Sequence, residues 1–163
     1  MADLLTHFLV AFSLFTVASW RVDWLDRRWL VVGTGGAAIP DLVKIELVLD
    51  EATIEGVLGL PFAYTPLSTA GGVLLVAGLV TLAFERDRWR RAYGLVTAGG
   101  ILSLVVDGLR AYADGRASAW LYPVTNWRPP TPSLYVSSDP TILVVALSLT
   151  AVVVAVDRRL ATE

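Results

Sequence analysis

Residues 101–115 read ILSLVVDGLRAYADG. The stretch opens as an apolar helix, and Asp107 then breaks it before Arg110 and Asp114 lead out into polar sequence. A bare carboxylate in the middle of a membrane helix costs about 2.5–3.5 kcal/mol on insertion scales, so such a group usually faces an interior and pairs with something. Asp107 therefore raises two questions at once: whether the chain lives in a membrane, and what the carboxylate faces.

Composition answers the first. Of 163 residues, 55% are hydrophobic and 17% charged, with a mean hydropathy of +0.63; soluble domains carry about 25% charged residues. Crossing a bilayer takes about 20 apolar residues, with 17–25 the usual range. Leu4–Trp20, Leu67–Phe84, Ala92–Leu109 and Ile142–Val156, the last extended by its flanks, read as such segments. Trp29–Pro40 is too short to cross alone, and Asp41, Lys44 and Glu46 interrupt the sequence beyond it. It reads as a short second helix ending near Pro40, then an amphipathic, interfacial or re-entrant stretch to Leu60; an ordinary helix ended by proline is the alternative. The expected fold is all-α: a polytopic membrane bundle of about five helices, the second short or broken, forming a single integral membrane domain over 1–163.

Arginine placement sets the expected orientation. Arg21, Arg27 and Arg28 come after the first helix, Arg86, Arg88, Arg90 and Arg91 separate the third from the fourth, and Arg158 and Arg159 come after the fifth. With five spans these loops share one side, which the positive-inside rule makes cytoplasmic. The N-terminus is then outside, the C-terminus in the cytoplasm, and the protein multi-pass in the cell membrane. The first segment lacks a basic leader and reads as a membrane helix rather than a cleavable signal. Trp20, Trp24, Trp29, Trp89 and Tyr93 fall at the inner ends, and Tyr64, Tyr112, Trp120, Tyr122, Trp127 and Tyr135 at the outer ends, as interfacial aromatic belts do.

Several chemistries are excluded. A net charge of −2 without a dominant basic face argues against a nucleic-acid partner. The absence of Cys removes disulfides, thiolate zinc sites and cysteine nucleophiles. The GTGG stretch at 33–36 lacks the spacing and the lysine of a phosphate loop, and close helix packing through small residues accounts for it.

On this topology Asp3, His7, Asp41, Ser68, Thr69, Ser103 and Asp107 all fall toward the outer side. Asp3 and His7 stand four residues apart and share a helix face, as do Ser103 and Asp107. A carboxylate beside an imidazole orients a metal-binding or catalytic His, so Asp3–His7 reads as a ligand with its orienter. Asp41 and Asp107 read as oxygen ligands or proton-transfer groups. The plainer alternatives stay open: an interfacial His7, Asp41 at the water boundary, serines bonded to their own helices, and Asp107 paired with Arg110.

The stretches DLLTH (3–7), AAIPD (37–41), PLSTAGG (66–72), ILSLVVDGL (101–109) and LYPVTNWRPPTP (121–132) resemble, in the same order, the YdjM-type family of predicted membrane-bound metal-dependent hydrolases, in particular its branch from salt-loving archaea. The resemblance implies that His7 matches the His ending the first motif, and Pro40 and Asp41 the Pro-Asp of the second. It also implies a His near position 68 and a His-x-x-x-Asp over 103–107. Ser68 and Ser103 stand at those two imidazole positions, while Asp107 is kept. The resemblance thus implies a metal or catalytic set of His7, Asp41 and Asp107, with Asp3, Ser68 and Ser103 as supporting or degenerate ligand positions. Hydroxyls are poor zinc ligands, and the oxygen-rich remainder suits Mn²⁺ or Mg²⁺ as well as Zn²⁺.

Two functions are thereby expected, with enzymatic activity left open. One is a multi-pass member of the hydrolase-like family with a weakened or lost metal site and no metal bound. It would bind membrane lipid, or a partner membrane protein through the outer loop 111–139, whose Trp, Tyr and Pro content suits an interaction surface. The other is an active membrane-embedded hydrolase of an ester or phosphodiester, in which a divalent metal polarises the ester and activates water at the outer leaflet. A transporter is a weaker third: broken helices fit one, but the chain has no visible repeat.

Overall fold

The computed structural model describes residues 4–136 and 139–160. Six α-helices are formed among them: α1 (Leu4–Ser19), α2 (Arg27–Gly36), α3 (Glu51–Leu58), α4 (Ala70–Thr81), α5 (Trp89–Gly108) and α6 (Pro140–Leu160). Short 3-10 segments cover Pro40–Leu47, Thr65–Ser68 and Arg86–Arg88, and the described residues contain isolated bridges but no named strand. The all-α expectation holds at this level.

The boundaries have local causes. Asp26 caps α2 by accepting from the backbone N–H groups of Arg28 and Trp29, and Asp50 caps α3 by accepting from Thr53 N–H; capped donors of this kind are what start a helix. Helix α2 stops at Gly36, and Pro40 opens a separate 3-10 segment, so the expected break in the second helix is present. The expected run from Leu67 shortens to α4. Pro66 lies in its own 3-10 turn, and the Thr69 hydroxyl, accepting from Gly72 N–H at 3.2 Å, starts the helix at Ala70.

Of the about five membrane helices expected, these lengths support one. By length and composition, one helix among the described residues, α6, is long and apolar enough to cross a membrane. Helix α1 has 16 residues and α4 has 12; at 1.5 Å per residue, the 12 residues of α4 rise about 18 Å, short of a hydrocarbon core of about 30 Å. Helix α5 has 20 residues but begins WRRAYG.

Packing combines large apolar residues, among them Phe15, Leu30, Val73, Leu95 and Leu104, with small and polar ones. Helix α5 packs against α1, α2 and α4, and α6 runs along α1. Ala11, Ala37, Ala77 and Ala92 are buried to 1% exposure or less, and Thr6, His7, Ser13, Thr16 and Ser103 are buried with them. Large apolar side chains such as Leu74, Leu75 and Leu79 on α4 and Val144, Val145 and Val152 on α6 face outward. Gly36 and Gly99 let α2 and α5 touch: a Cβ on Gly99 would collide with the Gly33 carbonyl oxygen, and one on Gly36 with the Val96 carbonyl. Polar ties join α1 to α6, with the Ser13 and Thr150 hydroxyls 2.9 Å apart and Trp20 Nε1–H donating to Asp157 at 3.0 Å.

The segment after α5 folds back on itself. Ala111 N–H donates to the Tyr135 carbonyl at 2.7 Å, Ala117 N–H to Pro129 at 2.9 Å, and Thr131 N–H to Gly115 at 3.0 Å. Arg128 donates to the carbonyls of Ala117 and Arg116 and pairs with Asp114 at 2.7 Å. The Asp114 carboxyl is held below its ordinary range, first by the Arg116 N–H and then by the Arg128 guanidinium. Trp120 lies against Gly108, and its carbonyl accepts from Ala70 N–H at 2.7 Å. The loop thus covers the end of α5 and the start of α4.

Candidate functional site

His7 is the hub. It lies on α1 among small buried residues, and its side chain is 0% exposed. Asp41 approaches from the first turn of the 3-10 segment after α2, set there because α2 ends at Gly36 and Pro40 opens the new turn. Ser103 and Asp107 approach from one face of α5, as their four-residue spacing dictates.

The ring is gripped on both sides. Its Nδ1 lies 3.2 Å from Asp41 Oδ2 and 3.0 Å from Ser103 Oγ. Its Nε2 lies 3.5 Å from Asp107 Oδ1 and makes no hydrogen bond although fully buried. Carboxylates on both ring nitrogens match an imidazolium, which points one N–H at Asp41 and the other at Asp107; a neutral imidazole carries a single N–H and would turn a lone pair on one of the two carboxylates. Each carboxylate also has a cation. Lys44 Nζ is 2.7 Å from Asp41 Oδ1, one helical turn on, and Arg110 Nη1 is 4.0 Å from Asp107 Oδ1. Arg110 in turn lies over the Tyr112 ring at 4.2 Å.

The surrounding shell fixes α5. Tyr135 O–H donates to the Val106 carbonyl at 2.8 Å. Burial, and then the Asp107 carboxylate, push its phenol up to about 12, so the hydroxyl stays protonated and keeps that bond.

The sequence-expected residues separate into groups. His7, Asp41, Ser103 and Asp107 meet. Ser68 turns away to donate to the Thr65 carbonyl at 2.9 Å. Asp3 lies outside the described residues, and Asp41 holds the place beside the ring that sequence reasoning gives to Asp3. Lys44 is the partner that sequence reasoning misses; its signal is the three-residue spacing from Asp41 on a helical turn.

A metal can be tested against this donor set. Two donors on one zinc ion, each about 2.0–2.2 Å from it, stand roughly 3–3.5 Å apart. His7 Nε2 and Asp107 Oδ1, at 3.5 Å, satisfy that for one edge. Asp41 does not join them: it sits on the opposite ring nitrogen, with its other oxygen on Lys44. One ion therefore cannot take His7, Asp41 and Asp107 together in this arrangement, and among the described residues no three His, Cys, Asp or Glu side chains form such a group. What the arrangement offers is a buried imidazole clamped between two carboxylates on opposite ring nitrogens.

No protein-family model matches the chain, and neither a curated protein nor a solved structure matches it.

Proposed function

We propose that the chain is a multi-pass membrane protein of the metal-dependent hydrolase-like family in which the three-ligand metal centre has been replaced by a polar clamp. In this reading α1, α2, α4, α5 and α6 all lie in the bilayer, with the clamp toward the outside and the arginine-rich ends in the cytoplasm. The clamp holds α1, the start of the 3-10 segment and α5 in register beneath the folded outer loop. That loop contacts lipid or a partner membrane protein. Support for the membrane setting comes from α6, long and apolar enough to cross a bilayer, and from the large apolar side chains exposed on α4 and α6; the small residues at the α2–α5 contact fit the way helices associate in lipid.

The observation that carries the loss of metal chemistry is the position of the two carboxylates on opposite nitrogens of His7, each with its own cation. Divalent metal content of the purified protein, measured beside Asp107→Ala and Asp41→Asn, tests it. The expected result is no stoichiometric metal in any of the three. One metal ion per chain, lost in Asp107→Ala, would overturn the proposal.

The buried Nε2 without a hydrogen bond, 3.5 Å from Asp107 Oδ1, favours a second reading. There His7 and Asp107 hold a divalent ion with Asp41 orienting the ring, as carboxylates commonly orient metal-binding imidazoles. When bound, the ion would polarise an ester and activate water for hydrolysis. Under this reading Asp41→Asn weakens metal binding and Asp107→Ala abolishes it.

A further inference from the structure

Helix α3 buries none of its residues. In and beside it, Leu47, Val48, Val57, Leu58 and Leu60 are 86%, 92%, 81%, 57% and 66% exposed. Five large apolar side chains this open within one short segment mark an interaction surface, whereas apolar residues scattered singly need no explanation.

The segment is nonetheless held in one shape. Eight residues are too few for a helix to stand on propensity alone. Asp50 caps the start of α3, and Gly59, at φ 65°, closes its end in the left-handed region. Glu51 accepts from Tyr64 N–H at 2.8 Å and Glu55 from Phe62 N–H at 2.9 Å. These bonds fasten the helix to a return segment anchored by the buried Tyr64. A surface ordered before it binds loses less entropy on binding.

Charge narrows the choice of partner. Glu46, Asp50, Glu51 and Glu55 all lie in the segment, and residues 45–85 contain no Lys, Arg or His. Lys44, at its border, is 2.7 Å from Asp41. Among the described residues none of the four carboxylates pairs with a cation. Asp50, Glu51 and Glu55 each accept a backbone N–H through one oxygen, which leaves their negative charge in place and the other oxygen open.

We propose that the segment 45–60 docks a partner protein whose apolar surface is bordered by Lys or Arg. The leucines and valines fill the centre of the contact and the four carboxylates pair at its rim, the division into apolar core and polar rim that protein interfaces show. A lipid surface fits less well, because helices that lie on membranes carry Lys and Arg on their polar face. A second copy meeting it segment to segment would set four carboxylates against four. The docking requires neither the His7 clamp nor a particular number of membrane spans.

The test uses the full chain in phosphatidylcholine nanodiscs. Anisotropy of a labelled helical peptide of Leu and Lys reports binding above the baseline of empty nanodiscs. A Leu–Glu counterpart and a Lys–Ser peptide, which keeps the charge but lacks the apolar face, are measured beside it. The expected result is saturable binding of the Leu–Lys peptide alone. Leu47→Ser with Val48→Ser should weaken it about tenfold, since both side chains are covered on docking. Glu46→Gln should weaken it about threefold and flatten its salt dependence. These changes fall on exposed side chains, so the unfolding midpoint should not move. Val124→Ser, 90% exposed on the outer loop, should leave binding unchanged.

No binding above the baseline, equally tight binding of either control peptide, or no effect of the Leu47 and Val48 changes would overturn the proposal. The chain has no Cys, so Val48→Cys carries a single fluorophore. Its quenching by brominated lipid in peptide-free nanodiscs would replace the partner with the bilayer. A dimer in detergent that Leu47→Ser with Val48→Ser dissociates would replace the partner with a second copy. The proposal expects neither.

Discussion

Replacing His7 tests the clamp directly. His7→Ala removes three contacts: Asp41 at 3.2 Å, Ser103 at 3.0 Å and Asp107 at 3.5 Å. In water, hydrogen bonds to charged groups contribute about 1.5–3 kcal/mol each; within membrane proteins, interhelical hydrogen bonds average about 0.6 and reach about 1.7 kcal/mol. The lower scale applies if the helices lie in lipid, and the buried cavity left by the ring adds to it. Because Lys44 and Arg110 remain on the two carboxylates, the loss stays below the full cost of stranding a buried charge, about 3–5 kcal/mol. His7→Ala should therefore cost about 2–4 kcal/mol in a reversible denaturant titration of the detergent-solubilised chain. Two further variants separate the sides of the ring. An Asn amide reaches roughly where Nδ1 sits and a Gln amide roughly where Nε2 sits. Since the shorter contacts are on Nδ1, His7→Asn should recover more stability than His7→Gln. The reverse order, or a loss under about 0.5 kcal/mol for His7→Ala, below the worth of one ordinary hydrogen bond, would refute the reasoning.

Other expectations concern the packing and the loop. Gly99→Ala should destabilise by about 1–3 kcal/mol through the α2–α5 collision, whereas Gly35→Ala, where a Cβ meets nothing within 4 Å, should be neutral or stabilise by up to about 1 kcal/mol; thermal melts of the pair compare them. Tyr135→Phe should cost about 1 kcal/mol by losing the Val106 bond, and amide exchange should quicken over the last turn of α5. The Asp114 carboxyl is lowered in the folded loop, so its contribution is present above the ordinary aspartate range and is lost as pH falls through the lowered value. Protection of the amides of Gly115, Ala117 and Thr131 against exchange, relative to the intrinsic rate at each pH, should accordingly fall as pH drops below about 4, and Arg128→Gln should shift that fall to higher pH.

The parts of this fold that can be read from sequence are those with local causes. The Ser103–Asp107 face comes from helical spacing, and the broken second helix comes from Pro40 and the charges after it. The start of α4 at Ala70 rather than Leu67 depends on the Thr69 hydroxyl outcompeting three more residues of mostly apolar or small character. Helix length is a stricter criterion for a candidate span than hydropathy, because the runs at Leu4 and Leu67 yield helices of 16 and 12 residues. At the site, sequence can nominate His7, Asp41 and Asp107 but cannot orient the ring. Which nitrogen faces which carboxylate is set by how α1 is rotated against α5, a property of packing between residues 96 positions apart in the case of His7 and Ser103. The capture of Asp41 by Lys44 is local in sequence, yet it alters what Asp41 is available to do.

The polar face of α1 also has a consequence for biogenesis. Its partners are made late: Ser103 lies 96 residues beyond His7, and Thr150 and Asp157 lie 137 residues beyond Ser13 and Trp20 respectively. At synthesis rates of about 5–20 residues per second, those partners emerge roughly 5–30 s after α1 does. During that interval the first helix carries an imidazole with Asp41 but not Ser103 or Asp107 to meet it, and a Ser13 hydroxyl whose native partner does not yet exist. If the helices lie in the bilayer as proposed, the insertion machinery must shelter that face until α5 and α6 arrive. A ribosome-stalled chain ending before residue 103 should crosslink to the insertion machinery from position 7, and release of the full chain should abolish the crosslink.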